Sequence, residues 1–133
     1  MVTISLVTGA SSGLGRCIAK LLCEKGHKVY VTARRTSKLK ELQNETKHCK
    51  GKILSIPGDL TNKAHRIKLI NSILTKEKKL DYLINNAGYG TNTLLEEHDL
   101  KDIENMFQLN VIAYTHLIQL TLPSMKRKHR GKI

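Results

Sequence analysis

Apolar positions along this chain alternate between two rhythms, short β-branched runs and stretches repeating every three to four residues. Residues 2–7 form a strand-like run. Leu14, Ile18, Leu21 and Leu22 then repeat at the spacing of one helix face over residues 14–25, ending at Gly26. Residues 29–33 read as a second strand, residues 37–47 as a charged helix with Leu39 and Leu42 turned inward, and residues 52–56 as a third strand stopped by Pro57 and Gly58. Thr61 stands where an N-cap belongs, before a helix to about Lys79 with Ile67, Ile70, Ile73 and Leu74 on one side. Residues 80–84 predict a fourth strand and residues 100–128 a long helix with room for a bend. Lys132 and Ile133 have the place of the first residues of a fifth strand.

Strands separated by helices of this length pair in parallel through right-handed crossovers, so the expected fold is α/β, a doubly wound parallel sheet of Rossmann type. Ligands in such sheets bind at the carboxyl ends of the strands. Four glycine-bearing or polar stretches, residues 8–15, 33–35, 58–60 and 85–90, follow strands and are expected along that one edge. With 133 residues, 40% apolar and 26% charged, and no linker or repeat, residues 1–133 make a single domain that buries roughly two thirds of its unfolded surface.

Several function classes drop out. Cys17, Cys23 and Cys49 lack metal-type spacing, and Cys17 and Cys23 fall in the first helix as expected small buried thiols, so no metal is expected. Without a basic leader or a run of eighteen apolar residues, no membrane partner is expected and the compartment reads as cytoplasmic. The net charge of +12 raises the question of nucleic acid. The basic residues are spread over several helices, there is one Phe and no Trp, and the dense cluster at residues 126–130 suits a helix C-terminus. Nucleic acid is therefore not the expected partner.

Chemistry concentrates in Thr8, Gly9, Ala10, Ser11, Ser12, Gly13, Leu14 and Gly15. Gly9 lets the chain turn after the strand, the small residues through Ser11 and Ser12 let a pyrophosphate approach the backbone, and Gly13 and Gly15 admit a helix N-terminus whose dipole favours negative charge. The second strand ends in Arg34 and Arg35, with no acidic residue to accept ribose hydroxyls. A guanidinium grips a 2′-phosphate through charge-assisted bonds, which favours NADP over NAD.

The glycine turn, Asp59 and Leu60 after the third strand, Asn85, Asn86, Ala87 and Gly88 after the fourth, and Asn110 in the next helix occur in the order and spacing of one family. The chain resembles the short-chain dehydrogenase/reductase family over essentially its whole length. The resemblance implies that Asp59 accepts from the adenine amino group, that the backbone of Leu60 meets the ring, and that Asn86, Ala87 and Gly88 line the adenosine ribose. Asn110, which lies among Leu109, Val111 and Ile112, is by the same resemblance the one member of an Asn-Ser-Tyr-Lys catalytic set that this chain supplies.

The Ser and the Tyr-x-x-x-Lys of that set are missing, since Tyr30, Tyr82, Tyr89 and Tyr114 are followed four residues later by Arg34, Asn86, Thr93 and Ile118. Gly131, Lys132 and Ile133 resemble the family's lead-in to its fifth strand. The expectation is a C-terminally incomplete piece of an NADP-dependent oxidoreductase. Its full-length form would act on a small-molecule carbonyl or alcohol; the family's use of the Asn110 helix allows a homo-oligomer, though the apolar residues of that helix could equally cover the sheet. A complete non-catalytic nucleotide-binding or regulatory module is the alternative. Either way the fourth strand is an expected open edge, and poor solubility follows.

Overall fold

A computed structural model describes residues 1–133. Strands β1 (Ile4–Thr8), β2 (Lys28–Thr32), β3 (Lys52–Ser55) and β4 (Tyr82–Ile84) form one parallel sheet in the order β3-β2-β1-β4. Period-two alternation sends successive strand residues to opposite faces. Leu6 and Tyr30 pack beneath α3 (Lys63–Glu77) and α5 (Tyr114–Arg127), while Val7, Val29 and Val31 pack beneath α1 (Gly13–Glu24) and α2 (Thr36–Glu45). Helices thus cover both faces, as the alternating pattern predicts. No helix is long and apolar enough to cross a membrane, and no group of three or more His, Cys, Asp or Glu residues could hold a metal ion.

The long helix expected over residues 100–128 is interrupted. α4 (Leu100–Phe107) widens into a π-helical segment, Gln108–Ala113, before α5 resumes. Lys132 does pair in parallel with Tyr82, its N–H donating to the Asp81 carbonyl and its carbonyl accepting from Leu83 N–H, both at 2.9 Å.

Four expectations need correction. α1 buries only part of its expected stripe: Ile18 and Leu22 pack partly buried against the core, but Leu14 and Leu21 are exposed at 69% and 50%, and Gly15, Ala19 and Cys23 face the sheet. The reason is closeness of approach: a helix seated directly on β1 has room there only for small side chains. Cys17 is likewise exposed. The cap of α3 is Asn62, whose Oδ1 accepts from the N–H groups of Ala64 and His65, because the hydroxyl of Thr61 is spent on Asp59. The buried stripe of α3 then runs Arg66, Leu69, Ile70 and Ile73, and Ile67 is only half-buried.

At the amino edge of the sheet Asp81, 5% exposed, joins β1 to the approach to β4. Its Oδ2 accepts from Ile4 N–H and from the Lys79 ammonium, both at 2.8 Å. Burial would raise this carboxyl, but the Ile4 N–H, Lys79 and the Arg130 charge outweigh it and hold Asp81 below the usual carboxylate range. Asp81→Asn should therefore lower stability by about 1.5–3 kcal/mol at pH 7. A group with a depressed folded-state pKa stabilises fully above its unfolded value, about 3.9. The gap between wild type and variant in urea unfolding should accordingly be complete at neutral pH and close as pH falls below that value through the lower folded-state one.

Candidate functional site

The strand exits meet along one cleft of about 670 Å³ at the carboxyl edge of the sheet. The turn after β1 contributes Gly9 and Ser12, the end of β2 and the turn after it contribute Thr32, Ala33 and Arg34, and the turn after β3 contributes Gly58, Asp59, Leu60 and Thr61. Asn86, Ala87, Gly88 and Tyr89 follow β4, with Asn105 and Leu109 reaching in from α4 and the π-helical segment.

The glycine turn is held against the exit of β4 by a set of short bonds. Thr8 Oγ1 accepts from the N–H groups of Asn86 and Ala87, each at 2.9 Å, and lies 3.3 Å from the Ile84 carbonyl to which it donates. Asn86 Nδ2 returns to the Thr8 and Gly9 carbonyls at 3.0 and 3.3 Å. Two glycines are required here. Gly9 has φ +68°, and a Cβ on it would lie 2.8 Å from Ala87 Cα; a Cβ on Gly15 would lie 2.6 Å from the Gly9 carbonyl oxygen. Asn85 is less well served, since its buried Oδ1 has no partner.

The two arginines divide. Arg34 lines the cleft and forms no ion pair, whereas Arg35 turns to the glycine loop and donates from Nη2 to Ser11 Oγ at 2.9 Å and Ser12 Oγ at 2.7 Å. Asp59 Oδ1 accepts from both the N–H and the hydroxyl of Thr61, at 2.9 and 2.8 Å. Burial pushes its carboxyl up, but those two bonds and the nearby Arg34 and His65 prevail, so Asp59 stays ionised and below the usual range. Beneath it, the His65 ring packs on Gly58, where a Cβ would collide with the imidazole, and its Nε2 lies 3.3 Å from Thr32 Oγ1.

Of the residues singled out in the sequence, Gly9, Ser12, Arg34 and Asp59 come together on the cleft with Leu60, Asn86, Ala87 and Gly88. Ser11, Gly13, Leu14, Gly15 and Arg35 stand behind it in or against the glycine turn, and Asn110 lies outside its walls. Asn110 is also exposed rather than enclosed by its apolar neighbours, with Val111 and Ile112 exposed beside it. Its amide clamps the backbone of Tyr89, Oδ1 accepting from the N–H at 3.2 Å and Nδ2 donating to the carbonyl at 2.8 Å.

Residues 3–133 match the family model for short chain dehydrogenase. The chain belongs to that family. It is 34% identical over 130 residues to a 3-ketodihydrosphingosine reductase of Bacteroides thetaiotaomicron, covering 98% of this chain and 45% of that protein. It is also 34% identical over 132 residues to an NADP-dependent 3-hydroxy acid dehydrogenase of Salmonella typhi, covering 98% and 52%. Among solved structures, a metagenomic short-chain oxidoreductase in complex with NADP superposes with a TM-score of 0.93 at 29% identity, over 97% of this chain and 59% of that one. The chain thus spans about half the length of the curated relatives it matches.

In this member of the family, sequence reasoning passed over Thr8 as a bonding residue and missed Arg66 altogether. A signal for Arg66 existed. Stepping back from Ile73 and Ile70 along the helical period lands on residue 66, so an arginine occupies the buried stripe of α3. For the glycine turn, Gly15→Ala should destabilise the protein by about 1–3 kcal/mol, because the new Cβ meets both the Asn86 amide, which is bonded to the Thr8 and Gly9 carbonyls, and the Gly9 backbone, which cannot move aside cheaply. A fall in the denaturant midpoint with an unchanged slope is the expected result.

Proposed function

We propose that this chain is the nucleotide-binding part of an NADP-dependent oxidoreductase whose full-length form moves a hydride between nicotinamide and a carbonyl or alcohol carbon of a small molecule. The observation that carries the reading is the lineup, along one cleft, of a glycine turn with no room for a Cβ at Gly9 or Gly15, the unpaired Arg34, and the ionised Asp59.

The residues present fit such a cofactor. The N-terminal turn of α1, where Ser12 makes no side-chain cap bond, offers backbone N–H groups to a pyrophosphate. Arg34, backed by Arg35 on the Ser11 and Ser12 hydroxyls, suits a 2′-phosphate, and the Asp59 carboxylate with the Leu60 backbone suits adenine. Asn86, Ala87 and Gly88 border the adenosine ribose in this reading. When bound, the nicotinamide supplies the hydride acceptor or donor. Asn110 is the candidate contribution to a proton relay, and the bonds it makes to Tyr89 would hold the adjoining loop in place. The exposed Phe107, Val111 and Ile112 favour self-association of the full-length form.

No tyrosine of this chain has a lysine four residues later, so the chain alone is expected to bind without turnover. Titration calorimetry should show NADP bound more tightly than NAD. Arg34→Asp should weaken NADP by roughly 10- to 100-fold while leaving NAD much less affected, the span expected for losing charge-assisted bonds of about 1.5–3 kcal/mol. Equal loss for both dinucleotides, or no binding of either, would remove the reading.

A further inference from the structure

Arg66 is 3% exposed, and its guanidinium meets no carboxylate within ion-pair distance. A buried charge without a counter-ion is costly unless dipoles replace its water. Three acceptors do so. Nη1 donates to the Leu60 carbonyl at 2.5 Å and the Thr61 carbonyl at 3.1 Å, and Nε donates to His116 Nδ1 at 2.9 Å. His116 lies on α5, which packs beside α3 on the same face of the sheet, so one side chain of α3 grips both the turn after β3 and the neighbouring helix.

This grip falls on a part of the cleft that lies outside the sheet's ladder. Leu60 and Thr61 line the cleft, yet neither belongs to a strand or a helix, so no ladder holds their carbonyls. Besides Arg66, the side chain that reaches Thr61 O is Gln108, with Nε2 at 3.4 Å. The planar fork of arginine suits two adjacent carbonyls and a third acceptor; a lysine ammonium on a flexible stem fits that set less well. The His116 bond also sets a tautomer, since Nδ1 can accept only when the ring proton sits on Nε2.

We infer that Arg66 is a positioning residue of the nucleotide site: by fixing the Leu60 and Thr61 carbonyls and tying them to His116, it sets the affinity of the cleft for the adenosine half of the dinucleotide. The inference rests on the nucleotide-binding reading above. Arg66 itself makes no ligand contact in this account, and it acts through the backbone of the two residues it holds.

The test uses adenosine 2′,5′-bisphosphate as the probe, titrated into the wild-type chain and into Arg66→Lys, Arg66→Met and Asp81→Asn. Asp81 lies at the opposite edge of the sheet, so its variant reports what a loss of stability alone does to binding. Arg66→Lys, which keeps the charge and loses the fork, should bind about three- to tenfold more weakly, and Arg66→Met more weakly still, with Asp81→Asn at the wild-type value. Should Arg66→Met fail to fold, the lysine variant decides the matter. Wild-type affinity in Arg66→Lys overturns the inference, as does an equal loss in Asp81→Asn, and both results leave nucleotide binding itself standing. Absence of binding to the wild-type chain overturns the inference together with the nucleotide-binding reading.

Discussion

The Thr8 hydroxyl is the point on which the arrangement of the cleft depends. A hydroxyl has one proton to donate and two lone pairs to accept with, and Thr8 uses all three, toward Ile84, Asn86 and Ala87. It does so at the end of the strand on either side of which the sheet extends, to β2 on one side and to β4 on the other. Such a reversal of strand order opens a crevice between the loops that leave in opposite directions. The hydroxyl fixes how far apart those loops stand, and Asn86 reinforces it by reaching back to the Thr8 and Gly9 carbonyls. Gly9 and Gly15 are then consequences of that spacing, because a strand exit and a helix held this close leave no volume for a methyl group.

Much of this fold was legible in the residues because it rests on local periodicity. Strand and helix order, parallel pairing, and the inward Leu39 and Leu42 all follow from patterns within a few residues of one another. The misreadings turn on side-chain bonds and close approaches that the helical and strand periods do not encode, whether the partner is two residues away or fifty. Leu14 and Leu21 make a persuasive apolar repeat, yet α1 must pass close to Gly9, and that contact selects the face bearing Gly15, Ala19 and Cys23. Thr61 looks like a cap until Asp59 claims its hydroxyl and Asn62 takes the role. An arginine at position 66 reads as polar surface until the carbonyls of Leu60 and Thr61 and a histidine fifty residues away supply its solvation. Asn110 misleads in the opposite sense, since its apolar neighbours suggest an interior that α4 and the π-helical segment do not enclose there.

Charge follows the same division between what is satisfied locally and what is left for the cleft. Glu45 is taken by Arg16 and Lys20, Glu77 by Lys28, and Asp81 by Lys79, so these carboxylates are committed to holding helices and strand ends together. Asp59 is the one carboxylate that lines the cleft, and its Oδ1 is occupied by Thr61. Arg34 therefore has no ion-pair partner within the protein, while Arg35 is ordered by two serine hydroxyls that accept from it without neutralising it. Both charges raise the positive potential of this end of the sheet, Arg34 from the cleft wall and Arg35 from the glycine turn behind it. The net charge of +12 acquires a location in this way: part of its excess stands at the cleft and at the glycine turn behind it, next to a helix N-terminus whose dipole has the same sign.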